Sequence, residues 1–416
     1  MKVGASVVEV RVPEGTPMAG YAARPGPSTG VHDPLTVRSL VADAIGFVVV
    51  DCVALTEQTC AEIRAASDLD EVFVSATHTH AGPCLTPGRV GGADEAVLAD
   101  VVAAAVLGLA TARDGAVPCR VVYGEETGLG IARNRRHLYR EIDPPLQVLG
   151  FEGPGGLVAV LASYPCHPVV LDASNQLISA DYPGVLRGTV EAAHPGAVCV
   201  FATGCAGDVN DGHPAEASYT SVSSDARTFA AVERIGTHLG DAALRVLGDA
   251  AQVAEADDVC SAATTPVTLD LAPLDRTDVM ADRDGWRARA GTVPAAERAV
   301  YDIWADWADD WLATDPAARE TSWTSRVGLV RLGGVTVVTL PCEPFLGVAD
   351  AIRDELEQAV VLGYTDGVVG YLPTADEYPY GGYEVVDSHR YYGMPAPFAQ
   401  GSAERLVEAV VALSDR

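Results

Sequence analysis

The sequence predicts an α/β fold interrupted by a tryptophan-rich helical insertion. Three observations predict it. Short apolar runs of strand length alternate with longer stretches of helical period, the pattern of an α/β domain. Gly and Pro punctuate the joints between them. Residues 275–323 break the alternation: they are charged, helical in period, and hold Trp286, Trp304, Trp307, Trp311 and Trp323. We read the 416 residues as one domain, 1–416, with 275–323 as an insertion over one edge, either a lid or substrate wall or ordinary packing by large aromatics.

The elements follow in order. The N-terminus alternates as a strand from its first residues, and Leu35–Ala42 and Ile45–Val53 form a hairpin-type pair around Asp43-Ala44. Thr56–Leu69 has a helical period and leads to the strand Val72–Ser75. Ala93–Thr111 is an Ala/Val-rich helix. Arg120–Tyr123, Leu146–Phe151 and Val158–Tyr164 read as strands, and Pro183–Ala193 as a helix with Pro in its first turn. Val198–Ala202 is a short buried strand, Asp225–Leu247 an amphipathic helix, and Val259–Leu271 a strand region. Strands resume over Val327–Leu340, followed by a helix at Phe345–Glu357 and a strand at Val360–Tyr364.

Composition narrows the function. Hydrophobic residues make up 48 % of the chain, enough for a large core. A formal charge of −29 argues against nucleic acid or an anionic membrane surface as partner, because both demand basic patches. Nine cysteines are scattered without a Cys-x-x-Cys pair, which fits reduced thiols in the cytoplasm. No export signal is visible at the start, and no run approaches the roughly 18 apolar residues of a membrane span. The expected partner is a small-molecule substrate; oligomeric state is open.

Five segments carry chemistry. In Val72-Phe-Val-Ser-Ala-Thr-His-Thr-His-Ala-Gly-Pro83, two histidines follow an apolar run. Residues i and i+2 of a strand share a face, so His78 and His80 are expected to project together. In Ser163-Tyr-Pro-Cys-His-Pro-Val169, His167 again follows a strand, between prolines, and is a plausible third nitrogen ligand. Phe201-Ala-Thr-Gly-Cys-Ala-Gly-Asp-Val-Asn210 runs a buried strand into a Gly-rich turn suited to an oxyanion or substrate, with Asp208 and Asn210 in it. In Leu340-Pro-Cys-Glu-Pro-Phe345, Glu343 lies near a helix N-terminus, which suits an anion. The stretch from Gly370 to Glu384 crowds tyrosines into an irregular segment.

In this order the five segments resemble the neutral/alkaline non-lysosomal ceramidase family, over its N-terminal catalytic domain. Pro17-Met-Ala-Gly-Tyr-Ala-Ala-Arg24 and Gly30-Val-His-Asp-Pro-Leu35 are similar to the family's opening, and Ser75-Ala-Thr-His-Thr-His-Ala-Gly-Pro83 to its signature. Arg133-Asn-Arg135 with Asp143-Pro144 is similar to its Asn-Arg-Ser segment. The resemblance implies mixed β-sheets flanked by helices and a zinc site made by His78, His167, Glu343 and Tyr371. It also implies substrate-contacting roles for His80, Arg135 and Tyr383, the last keeping the family's 12-residue spacing from Tyr371. Two imidazoles, a carboxylate and a phenol lie within zinc's ligand range, and the metal brings a bound water to a pKa of about 7. Asp208 is a candidate to orient that water.

Three departures accompany the resemblance. Where family members carry a serine that takes part in amide cleavage, this chain has Asn210, whose amide can donate to an oxyanion but cannot act as a hydroxyl nucleophile. The chain ends without room for the family's C-terminal domain, and it lacks an export signal. Cys84, Cys166, Cys205 and Cys342 stand beside four of the motifs, either lining the pocket or as small buried residues. The leading expectation is a zinc hydrolase cleaving an amide C–N bond of a small molecule. One alternative is a TIM-barrel metal amidohydrolase with His213 and Asp208 as later ligands; the other is a non-catalytic binding protein that retains the metal.

Overall fold

A computed structural model describes residues 1–249, 251–252 and 260–415. Three large sheets share one design: antiparallel ladders that end, at one edge, in a single parallel pair. The first runs Glu71–Ala76, Ile45–Val50, Leu35–Ala42, Lys2–Val10, Val117–Pro118, and its parallel pair is Ile45–Val50 with Glu71–Ala76. The second runs Val198–Thr203, Gly156–Tyr164, Leu146–Gly153, Arg120–Glu126, Ala251–Gln252, with Gly156–Tyr164 parallel to Val198–Thr203. The third runs Cys260–Asp270, Ser322–Leu332, Val335–Thr339, Ala359–Leu362, and its last two strands are parallel. This is the expected mixed α/β architecture. Among the described residues no sheet closes into a barrel, which overturns the TIM-barrel alternative.

The inner faces of the sheets meet in one core. Leu40, Phe47 and Phe73 from the first sheet, Phe151, Leu161 and Val200 from the second, and Val330, Val337 and Val360 from the third form a single cluster. A fully buried side chain of this size contributes about 1.5–3 kcal/mol. Helices cover the outer faces: Glu57–Ala65 and Glu95–Asp114 on the first sheet, Tyr182–Ala193 and Phe229–Asp249 on the second, Leu346–Glu355 and Ser402–Ser414 on the third. The helix Glu95–Asp114 is long and apolar enough, by length and composition, to cross a membrane, although Asp100 interrupts its apolar run. Its Val97, Val101, Ala105 and Leu109 are instead buried in the protein core.

Most expected elements are present within a few residues. Thr56 and Asp94 cap their helices with side-chain oxygens. The Phe229–Asp249 helix starts later than expected because Arg227 is drawn aside to the Val169 carbonyl and the Tyr21 hydroxyl, leaving the Thr228 hydroxyl to accept from Ala231 N–H. Val259, the expected start of a strand, lies outside the described residues; the strand is described from Cys260. Trp323 belongs to the strand Ser322–Leu332 rather than to the insertion, which is a pair of helices, Arg276–Ala290 and Ala295–Ala313.

Candidate metal centre

Parallel strands place their C-terminal ends side by side, and in open α/β sheets such ends are where ligands bind. Each sheet delivers a motif this way. The segments holding His78 and His80 leave the first sheet, those holding His167 and Asp208 leave the second, and Glu343 follows the third. Short ladders then pin the segments together. Val209–Asn210 pairs with Arg133–Asn134, and Glu343–Pro344 pairs in parallel with Tyr371–Leu372, which sets Glu343 beside Tyr371.

Strand periodicity does not place His78 and His80, as the sequence suggested. The ladder ends at Ala76, and His78 adopts a left-handed backbone with φ 67°, a conformation uncommon outside Gly. Its N–H is held by the Cys52 carbonyl at 2.9 Å. The two imidazoles converge all the same, with 3.2 Å between their Nε2 atoms. Glu343 Oε2 lies 3.1 Å from His78 Nε2 and 3.0 Å from His167 Nε2, and the Tyr371 hydroxyl is 3.5 Å from the latter.

These donors fit a cation. His78 Nδ1 lies 2.6 Å from the Val53 carbonyl and His167 Nδ1 lies 2.5 Å from the Ala206 carbonyl. Carbonyl oxygens only accept, so both imidazoles carry their proton on Nδ1 and turn an Nε2 lone pair toward the same carboxylate oxygen. Donors about 2.0–2.1 Å from a tetrahedral zinc stand about 3.3 Å from one another, close to the observed spacings. Burial, then the nearby Arg135 charge, lowers the His167 pKa to about 4, which keeps that lone pair free at neutral pH. Burial also holds the Tyr371 phenol well above its usual value, against the pull of Arg135, whose guanidinium carbon lies 5.3 Å from the ring centroid.

The four side chains expected to hold a metal therefore lie together. His80 joins them: the structure gathers His78, His80 and His167 into one buried cluster, so His80 sits at ligand distance as well as on the cavity wall. A cavity of about 300 Å³ opens here, lined by His80, Arg135, Tyr371 and Tyr383. Arg135 donates Nε–H to Glu384 at 2.8 Å, while its buried Nη2 has no partner. Val300 and Ile303 of the second inserted helix form part of the wall, as does Cys84. Cys166, Cys205 and Cys342 are buried without lining it.

Asn210 and Asp208 are placed differently from the expectation. The Asn210 amide is engaged in its own turn: Oδ1 accepts from Gly212 and His213 N–H, and Nδ2 donates to the His213 carbonyl at 2.8 Å. Asp208 accepts from Leu346 N–H at 2.8 Å and from Asn134 Nδ2 at 3.0 Å. It accepts from the first N–H of the helix Leu346–Glu355, while Glu343 lies just ahead of that helix, as expected, and turns its carboxylate to the histidines. His213 lies on the cavity wall, outside the ligand cluster. Sequence reasoning missed Tyr392, whose hydroxyl donates to Glu343 Oε1, and Tyr364, whose ring lies 4.4 Å from that of His78. Tyr392 belongs to the same tyrosine-rich region, a few residues past the stretch singled out; Tyr364 carries no local signal.

Burial raises the Asp208 pKa from 3.8 to about 6, against the hydrogen bond from Leu346. The folded state thus keeps a proton that the unfolded chain has lost, and Asp208's contribution to stability falls as pH rises through this window. Asp208→Asn keeps one of the two accepting oxygens and removes the titration. Its stability relative to wild type is expected to rise between pH 4 and pH 6, read from urea midpoints; a difference independent of pH would refute the assignment.

The fold defines a class: it is that of the neutral ceramidases. The crystal structure of neutral ceramidase from Pseudomonas aeruginosa matches with a TM-score of 0.74 at 18 % identity, covering 100 % of this chain and 74 % of that one. A ceramidase complexed with C2 matches with a TM-score of 0.73 at 17 % identity, covering 100 % and 75 % respectively. No protein-family model and no curated protein matches the sequence.

Proposed function

We propose that this chain is a zinc-dependent hydrolase that cleaves an amide C–N bond of a small molecule with metal-activated water. The observation that supports it most is the approach of His78 Nε2 and His167 Nε2 to one oxygen of Glu343 at 3.0–3.1 Å, with both Nδ1 atoms committed to carbonyls. Zinc held there supplies a Lewis acid and lowers the pKa of a water to about 7. His78, His167, Glu343 and Tyr371 hold the ion. His80 and Tyr383 face the cavity and donate to the developing oxyanion or the leaving group. The unpartnered Nη2 of buried Arg135 binds a polar or anionic part of the substrate. Val300 and Ile303 help exclude water. The reaction takes nothing from Asn210 or Asp208, whose side chains are spent on the local fold. Nine unpaired cysteines support a reducing compartment, and we assign the enzyme to the cytoplasm.

Purified protein is expected to carry one zinc per chain and to hydrolyse members of an amide panel. Chelation should remove turnover, and zinc should restore it. Undiminished turnover in metal-free protein would overturn the proposal. The engagement of Asn210 in its own turn favours a second reading, a binding protein that keeps the metal without chemistry; stoichiometric zinc with no turnover across amides and esters would support that reading instead.

A further inference from the structure

One short segment joins the metal centre to the inserted helices. Those helices pack together with the rings of Trp286 and Trp304 5.6 Å apart. Arg390 sits among their tryptophans, its guanidinium carbon 4.6 Å from the Trp286 ring centroid and 5.3 Å from those of Trp304 and Trp307. The arginine is buried and is balanced by Asp387 at 2.6 Å. Trp307 adds a hydrogen bond from Nε1 to the Met394 carbonyl at 2.9 Å, and its ring meets His389 edge-on at 4.9 Å. Ser388–Tyr392 forms a single tight helical turn, so Arg390 and Tyr392 share one rigid unit. Tyr392 donates its hydroxyl to Glu343 Oε1, the oxygen that does not face His78 and His167.

We propose that Tyr392 is a positioning residue for Glu343, and that the Trp286–Trp304–Trp307 cage around Arg390 sets its place, so that docking of the inserted helices and cation affinity are linked. The inference rests on the metal centre proposed above. A carboxylate that presents one oxygen to a cation needs the other held, and the phenol supplies a charge-assisted hydrogen bond that does so. If the helices shift, the cage releases Arg390, the turn moves, and Glu343 Oε1 is left buried without its donor. Linkage runs both ways: a cation that favours the held carboxylate favours the docked helices by the same factor.

The test compares wild type with Tyr392→Phe, which keeps the ring, and Arg390→Met, which empties the cage of charge. Zinc affinity is measured by competition with a chelating dye, ligand geometry by the visible absorption of cobalt(II)-loaded protein, and docking by tryptophan emission during zinc titration. Tyr392→Phe is expected to weaken zinc by about 10–100-fold, beyond what any fall in the metal-free melting temperature accounts for, and to shift the cobalt bands. Arg390→Met is expected to weaken zinc in the same direction and to abolish the emission change that wild type shows. Wild-type cation binding that both variants leave unaltered overturns the link alone. A wild type that binds neither cation overturns the metal centre and the link with it. Should Arg390→Met fail to fold, Tyr392→Phe decides by affinity and cobalt spectrum.

Discussion

His167→Ala is expected to leave a folded protein that retains no stoichiometric zinc and turns over no amide substrate. The imidazole is fully buried, and its Nδ1 is anchored by the carbonyls of Ala206 and Val209 at 2.5 and 3.1 Å. The metal loss should exceed the roughly 10–100-fold that removal of an outer hydrogen-bonding partner costs. Stability should fall too, by about 1–3 kcal/mol, from the cavity the buried ring leaves and the lost Nδ1–H bond, although the Ala206 and Val209 carbonyls keep the N–H donors of Val209 and His167. Residual structure is checked by circular dichroism and metal by elemental analysis; zinc at wild-type occupancy would exclude His167 from the site. Metal-free wild type supplies a second check. Its His167 pKa is lowered to about 4, so the unfolded chain takes up a proton first, and the stability held above pH 6.5 is lost as pH falls toward 4. The alanine variant should lack that part of the slope.

How much of this was legible in the chain depends on which physical scale set each feature. The sheets and helices follow from local period, and buried runs such as Val72–Ser75 and Val198–Ala202 fall where expected. The helix Ser402–Ser414 also had a readable pattern, with Leu406, Val410 and Leu413 buried along one face, yet it lay outside every expectation drawn. His78, His80 and His167 read locally as candidate nitrogen ligands, whereas the set His78, His167, Glu343 and Tyr371 is reached only through resemblance, because no local rule brings residues 78, 167, 343 and 371 together. Local reasoning was right about His78 and His80 for the wrong cause: a left-handed residue past the strand end, not strand alternation, aims the first ring. It could not say which carboxylate caps the helix. Asp208 and Glu343 both sit near Pro or Gly at strand exits, and only the tertiary fold decides which one meets the Leu346 N–H. The same holds for Asn210, whose turn absorbs every polar atom that a substrate would need.

Gly207→Ala is expected to damage the metal site without touching a ligand side chain. The sequence suggested that the Gly-rich turn approaches a substrate. In the structure the thing it approaches is the backbone that carries Glu343: a Cβ on Gly207 would lie 2.5 Å from the Glu343 carbonyl oxygen, 2.8 Å from Phe345 Cδ1 and 3.0 Å from the Pro344 oxygen. Two of those atoms are backbone, so relief requires moving the segment itself. That segment is already fixed on its other side by the ladder to Tyr371, and on this side Gly207 N–H donates to the Pro344 carbonyl at 2.8 Å. Any displacement large enough to admit the methyl therefore moves Glu343 and Tyr371 together, away from histidines that are anchored independently. We expect a loss of about 1–3 kcal/mol from overpacking and a fall in zinc affinity beyond what that instability explains. Gly188→Ala is the control. It lies within the helix Tyr182–Ala193, a Cβ there meets nothing within 4 Å, and the change should be neutral or stabilising by up to about 1 kcal/mol through helix propensity. Melting curves and zinc titrations of the two variants separate the cases. A Gly207→Ala protein with wild-type melting and zinc affinity would mean that Glu343 is not held by the contact between these two loops.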